Sequence, residues 1–252
     1  MLKVELHSHT SDDPADRIPH STADLINRAA DLGYDALAIT LHDRQLDLDP
    51  WRRLAASRGL LLIPGIERTI EGKHVLLINF PPVAEQVDSF ADLADLKREA
   101  RAGVVIAPHA FFPGSACLGR PMMDRYAHLI DAVEYNAMFA RGVNFNRPAE
   151  RWARLHGRPM VGNGDVHRLQ QLGTTYTIID APPEPAAICG AIRAGRLRVK
   201  ARPLAWPTTL SLVSQLLIAE PLRDLLGVGA TKIADVKVAP GGGGKRSTEI
   251  SL

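Results

Sequence analysis

Short apolar runs alternate with helix-like stretches from the second residue to about residue 199 of the 252-residue chain, and most of the apolar runs end beside a histidine or a carboxylate. Alternation at this spacing predicts parallel strands joined by crossover helices, hence a doubly wound sheet or a closed β/α barrel. Strands are expected at 2–6, 36–40, 60–64, 74–80, 104–107, 132–135, 159–161, 174–179 and 197–199. Between them, helices are expected at 21–33, 49–59, 89–103, 122–128, 147–156 and 184–194. Ser21 with Asp24 three residues on reads as a helix start, and Gly33 as its stop. Pro50 and Gly59 bracket the second helix, and Glu71-Gly72 is a turn that pairs the third and fourth strands. No internal repeat is visible.

From Arg202 the texture changes. Residues 204–219 carry no charge but hold Pro207, two threonines, two serines and a glutamine, too short and polar a run to span a bilayer. Leu210, Val213, Leu216 and Leu217 predict an amphipathic helix packed on the barrel, with a dimer contact or membrane-surface binding as alternatives. The chain is thus divided into a catalytic barrel at 1–201, a helical segment at 202–229 and a glycine-rich flexible tail at 230–252. Apolar residues at 46% and charged residues at 23% exclude wholesale disorder. Thirty basic against twenty-eight acidic side chains leave +2, which argues against a global field for nucleic acid. Cys117 and Cys189 have no metal-type spacing, and the first ten residues have no apolar core of a signal peptide; a cytoplasmic protein is expected.

The chemistry concentrates at strand ends. His7 and His9 stand two residues apart on an extended chain, so both rings can reach one ion. His42-Asp43 follows the second strand, Glu67 the third, His74 opens the fourth, His109 ends the next, and Asp165-Val166-His167 follows 159–161. Six of nine histidines thus lie beside strands, while His20, His128 and His156 do not and are read as surface or helix residues. Each site has a bland alternative, such as a hydrogen-bonded core histidine at 74, a salt-bridge partner at Glu67, or a turn cap at Asp165. Their recurrence with one topology favours a shared site, because the C-terminal strand ends of a β/α barrel converge on one mouth. Nitrogen and carboxylate ligands in that number suit zinc, manganese or iron better than calcium or magnesium.

The ordered set ELHSHT, AITLHD, PGIE, GKH, APH and GDVH, over about residues 1–200, resembles the polymerase and histidinol phosphatase (PHP) family. The resemblance implies a distorted seven-stranded β/α barrel, two or three metal ions at its mouth, and hydrolysis of phosphate esters. By the same resemblance His7, His9, Glu67 and Asp165 hold one ion, and Glu67 bridges to a second held by His74 and His109. His42 and His167 hold a third, together with an aspartate whose family position falls at Pro14 or Ala15 here; Asp16 is favoured over Asp13. Leu41 stands where the family commonly has an acidic residue, so support for His42 is altered. Glu134 is expected to line the pocket rather than to bind metal.

The expected nucleophile is a metal-bridging hydroxide, with His167 or Asp43 protonating the leaving alkoxide. Arg168 is the nearest phosphate fork, followed by Arg44, Arg120 and Arg141, whereas Arg151 and Arg154 read as a solvated helix face. The expected substrate is a small phosphorylated metabolite or nucleotide. One alternative is a nuclease on short oligonucleotides, with Phe111-Phe112 for base stacking. Another is a non-catalytic metal-stabilised interaction module. Amide hydrolysis is disfavoured because no lysine stands at a strand end. The sequence leaves the oligomeric state open.

Overall fold

The computed structural model describes residues 1–114 and 116–204. Nine strands form one sheet: β1 (Leu2–Glu5), β2 (Ala36–Ile39), β3 (Leu61–Ile70), β4 (Lys73–Ile78), β5 (Val104–Ala107), β6 (Ala132–Asn136), β7 (Met160–Asn163), β8 (Thr175–Ile179) and β9 (Leu197–Ala201). Six helices connect them: α1 (Thr22–Asp31), α2 (Asp49–Ser57), α3 (Phe90–Glu99), α4 (Gly119–Arg125), α5 (Asn146–Leu155) and α6 (Pro185–Arg193). The order across the sheet is β7-β6-β5-β4-β3-β2-β1-β8-β9. The helix starts follow the sequence signals. Ser21 and Asp24 make a reciprocal capping box on α1, Ser89 and Asp92 do the same on α3, and Gly33 and Gly59 take left-handed conformations just past α1 and α2.

Two expectations need correction. The sheet holds nine strands rather than seven, and it is mixed rather than parallel: β4 runs antiparallel to β3 and β5, and β8 antiparallel to β1 and β9. The reason for the first antiparallel pair is local. β3 runs on past Glu67 to Ile70, and the left-handed pair Glu71-Gly72 folds it straight back as a hairpin. Glu67 therefore lies within a strand, opposite Leu76, instead of at its end.

Alternation along the strands sorts the core into an inside and an outside. Val4, Ala36, Ala38, Ile63, Leu76, Ile106, Ala132 and Val161 fill the barrel interior, and Ile188, Cys189 and Ile192 of α6 pack against them. Leu37 and Ile39 face α1 and α2, while Val105 and Val133 face outward towards α3, α4 and α5. Arg193 at the end of α6 reaches the carbonyl of Gly103, just before β5, so α6 plugs the end where β5 begins. The opposite end, at the C-termini of β1, β2, β5, β6 and β7, stays open as the mouth.

The barrel is nearly closed. At the mouth the chain after β1 pairs with the segment after β7: the Val166 N–H donates to His7 O (3.1 Å) and the His9 N–H to Val166 O (3.1 Å). On its other side the Thr40 N–H donates to Ser8 O (2.8 Å). Deeper down, Thr177 Oγ1 accepts the Gly162 N–H (2.8 Å) and donates to Gly162 O (2.9 Å). Gly162 has no room for a side chain, since a Cβ there would lie 2.7 Å from Val199 Cγ1 and 3.0 Å from Tyr176 O. Gly162→Ala is expected to prise this seam and to cost about 1–3 kcal/mol, the usual penalty of overpacking. Urea unfolding checks it; an unchanged midpoint would mean that the seam is loose.

The helical segment expected at 202–229 and the tail at 230–252 lie outside the described residues beyond Leu204, which is buried and donates its N–H to Phe139 O. Among the described residues no helix is long and apolar enough to cross a membrane.

Candidate metal centre

Extended backbone at His7-Ser8-His9 sends both imidazoles to the inside of the mouth, their ring centroids 5.2 Å apart, while Ser8 turns away to donate to Ala38 O. Glu67 rises from β3 into the middle of the same space. Its Oε2 faces His7 Nε2 at 3.1 Å, His9 Nε2 at 3.3 Å and His42 Nε2 at 3.3 Å; its Oε1 faces His74 Nδ1 at 2.9 Å and His109 Nε2 at 3.1 Å. One carboxylate that is 1% exposed is thus ringed by five imidazoles. Asp165 closes the ring from the β7 side, with Oδ1 3.4 Å from His7 Nε2 and 3.3 Å from His167 Nδ1. His109 and Asp165 both hold left-handed backbone conformations, which non-glycine residues adopt only where the surroundings enforce them.

The two aspartates of the loop after β1 take different places. Asp13 is buried, and its Oδ2 lies 2.9 Å from His9 Nδ1, lies 3.1 Å from His42 Nδ1 and accepts the His42 N–H at 3.0 Å. Asp13 therefore braces His42 from the far side, which answers the absence of an acidic residue at Leu41; Leu41 itself is packed in the core beside α1 and α2. Asp16 instead meets His167, Oδ2 to Nε2, at 3.0 Å.

Behind the rings lies a layer of polar residues that spacing alone does not reveal. Glu134 is fully buried; its Oε1 sits 2.8 Å from His7 Nδ1 and its Oε2 accepts the His109 N–H at 2.8 Å. Asn136 donates to Glu134 and to Asp165, and Asn163 donates to Glu134, tying the ends of β6 and β7 together. Glu5 accepts the N–H groups of His7 and Gly164, and burial pushes its carboxyl up to about 8 despite them. Cys117 Sγ lies 3.4 Å from His109 Nδ1. Of these only Glu134 stood out in the sequence, as a polar residue at a strand end. A carboxylate that fixes a ligand ring typically changes metal affinity 10–100-fold when lost. Glu134→Ala is accordingly expected to weaken metal retention by roughly that factor while leaving the helical content unchanged, as read by dialysis against a calibrated chelator.

Other sequence candidates lie elsewhere. Asp43 turns out of the cluster in a left-handed conformation; its Oδ1 takes Arg68 Nη1 at 2.5 Å and the Thr69 N–H at 2.6 Å. Arg168 is exposed on the loop after His167, Arg44 is bonded to Asp12 O, and Arg120 pairs with Asp124. Arg141 is exposed in the loop after β6, and Phe111 packs on the core. His20 is not a surface residue: the loop 10–20 folds back and buries it, with Nε2 2.9 Å from His9 O. His128 is exposed, and His156 stacks on Trp152.

The electrostatics match this crowding. Burial works against charge on Glu67, yet the His7, His109 and His42 rings outweigh it and hold the carboxyl well below its usual range. Asp165 is likewise held well down, burial notwithstanding, by His7 and His167. Burial also opposes charge on His7, and there Asp165, Glu67 and Glu134 prevail and raise it. His9 goes the other way: burial first, then its neighbour His167, keep it neutral. Neutral His9 has a buried Nε2 with no hydrogen-bond partner, aimed at Glu67 Oε2. An orphaned imidazole nitrogen beside shared carboxylates is what a metal ion would satisfy. Four triplets have ligand atoms within 4.8 Å of one another: His7, His9 and Asp165; His7, Glu67 and His109; His9, Asp13 and His42; and His42, Glu67 and His74. The residues present fit divalent metal.

Residues 143–197 match the model of the PHP-associated family. No curated protein matches the chain in sequence. Among solved structures, the fold is similar to that of a two-domain protein of Bacteroides vulgatus containing a predicted PHP-like metal-dependent phosphoesterase, at 20% identity and TM-score 0.63, over 83% of this chain and 68% of that one. It is similar to PsfC of Pseudomonas syringae at 18% identity and TM-score 0.54, over 88% and 98%. It is also similar to the lesion-specific endonuclease EndoQ of Pyrococcus furiosus, at 15% identity and TM-score 0.50, over 84% and 66%. At these identities the likeness carries the barrel fold, and the family match and that fold together support a PHP assignment.

Proposed function

From a PHP-type barrel with this cluster at its mouth, we propose that the chain hydrolyses phosphate esters with two or three bound divalent transition-metal ions, manganese, zinc or iron. The observation that carries the reading is Glu67, a buried carboxylate faced by five imidazoles, one of them with an orphaned nitrogen. His7, His9, Glu67 and Asp165 would hold one ion, and Glu67, His74 and His109 a second. Asp16, His42 and His167 would hold a third, with Asp13 orienting the His9 and His42 rings through Nδ1. Bound there, divalent cations neutralise phosphate oxygens and make a water acidic enough to attack at neutral pH.

The chain's own residues supply the rest. Glu134 fixes the tautomer of His7 by taking Nδ1, which leaves Nε2 for a ligand bond. The packed interior below the cluster is apolar and offers water no polar partner. Arg168, exposed beside His167, is a phosphate fork. His167, when not a ligand, would deliver a proton to the departing alkoxide from Nε2, the nitrogen that Asp16 faces at 3.0 Å; Asp43, committed to Arg68, is a poor donor.

The proposed substrate is a small phosphorylated metabolite or nucleotide whose phosphate descends to the buried cluster. A second reading, cleavage of short oligonucleotides, draws on Phe112 and Phe145, which meet at 5.5 Å between ring centroids in the loops after β5 and β6. Phe145 is 41% exposed, a surface on which a base can stack. Turnover of metal-reconstituted protein on a panel of phosphomonoesters and oligonucleotides tests both. A kcat/KM highest on a monoester is expected; higher values on every oligonucleotide would favour the second reading, and no turnover on either class would overturn phosphoester hydrolysis.

A further inference from the structure

The small net charge conceals a segregation. Residues 1–146 hold fifteen Lys or Arg against twenty Asp or Glu, whereas residues 147–202 hold ten against four. Much of that excess lies on one face. Along α5, Arg147, Arg151 and Arg154 recur at spacings of four and three and are all exposed, while Asn146, Ala149, Trp152 and Ala153 bury the opposite side. Arg158 follows just past the helix end. Arg196 and Arg198 are exposed at the start of β9, and Arg198 points away from the barrel because its neighbour Val199 packs against Gly162. A cleft of about 460 Å³ lies between the two groups, lined by Arg158 and Met160 after α5 and by Arg193, Leu197 and Val199 from the end of α6 into β9.

An arginine stripe on a helix is commonly just a solvated face, but the half-buried Glu150, three residues from Arg147 and four from Arg154, pairs with neither, whereas the arginines of such faces are normally paired with carboxylates at that spacing. Elsewhere in this chain they are: Arg52 pairs with Asp49, Arg98 with Asp95 and Arg120 with Asp124. Among the described residues, Arg147, Arg151, Arg154, Arg158, Arg196 and Arg198 form no ion pair. From these observations we infer that the α5–β9 face is a docking surface for a nucleic-acid phosphate backbone. The stripe begins beside the mouth, since Asn146 is hydrogen-bonded to Asn136, which in turn donates to Asp165. It presents no aromatic along its length: Trp152 is buried, and the exposed Phe145 sits at its mouth end. A surface of guanidinium groups without stacking rings suits a duplex backbone, read without regard to sequence, better than a single strand. Its single strongly exposed apolar residue, Leu155, gives a membrane little to bury.

The inference does not depend on turnover, because binding is read by itself. The test uses the full-length chain as purified and a fluorescein-labelled 20-base-pair DNA duplex of mixed sequence, checked on a gel to stay intact. Each neutralised phosphate contributes about 0.9 to the slope of log affinity against log salt, so a slope of about −3 or steeper is expected. Replacing Arg147, Arg151 and Arg154 together by Gln should flatten that slope by about 2–3 and weaken binding at least about tenfold. The same three changed to Lys should keep most of the affinity, and Arg28→Gln with Arg53→Gln, on α1 and α2, should change nothing. Absence of salt-sensitive binding, equal binding by the Gln triple variant, or tighter binding of polyglutamate or of phosphatidylserine vesicles than of the duplex would each overturn it.

Discussion

Glu67→Gln is expected to strip the barrel of metal and to lower kcat/KM by at least about a thousandfold, equivalent to about 4 kcal/mol of transition-state stabilisation. Among the described residues no other faces as many imidazoles: His7, His9 and His42 on one oxygen, His74 and His109 on the other. An amide at this position keeps the shape but loses the charge and offers one acceptor where two are shared. The substitution also acts without metal. The His7 and His109 rings, held charged in part by Glu67, would each lose a counter-charge 3.1 Å away, and leaving a buried ion without its partner costs about 3–5 kcal/mol. Metal analysis and chelated-state melting of the same variant read the two effects separately. Retention of full metal content would show that Glu67 is only a bystander between the histidines.

A second large effect concerns pH. In the metal-free chain His42 is pushed up to about 9: burial opposes its charge, but the hydrogen bond it donates to Asp13 and the charge of Glu67 outweigh it, and His7, His109 and His167 are raised as well. A histidine whose folded pKa exceeds its unfolded value of about 6.5 contributes stability that is complete below 6.5 and lost as pH climbs through the folded value. Glu5, raised to about 8 by burial, adds a loss of the same sign between about 4.5 and 8. Glu67 and Asp165 are depressed, so their contribution is present above about 4.5 and disappears as pH falls below it. The chelated protein should therefore melt highest near pH 5–6.5 and lose roughly 5 °C or more by pH 9. Metal reverses the trend, because its ligands must be deprotonated and its binding strengthens as pH rises. Melting curves with chelator and with manganese should cross in slope; parallel curves would mean that the cluster is not the titrating unit.

The histidines at the mouth were legible because period-two alternation and helix caps place strand ends well, and ligand-type side chains recur there. Strand direction was not legible. The helix between β8 and β9 looks like any crossover, and only the Glu71-Gly72 turn hinted that β4 reverses. The loop after β1 hid the roles of Asp13 and Asp16, three residues apart in irregular chain, since nothing in spacing tells which faces His42 and which faces His167. Glu134 could be seen at a strand end, but its contact with His7 spans 127 positions and exists only once β6 stands across the barrel from β1. His20 has no apolar periodicity around it, and its burial follows from the fold of a loop. The arginines of α5 were visible at their helical spacing; averaging charge over the whole chain cancelled them against an acidic first half.

Hydrolysis of p-nitrophenyl phosphate by the metal-free full-length chain, followed during stepwise addition of manganese, tests the central claim most directly. Turnover should be absent in excess chelator, should rise as the second equivalent is taken up, and should remain absent when His7 and His9 are both replaced by alanine. Full turnover in chelator, or in the His7→Ala, His9→Ala protein, would contradict a metal-dependent phosphoesterase centred on Glu67.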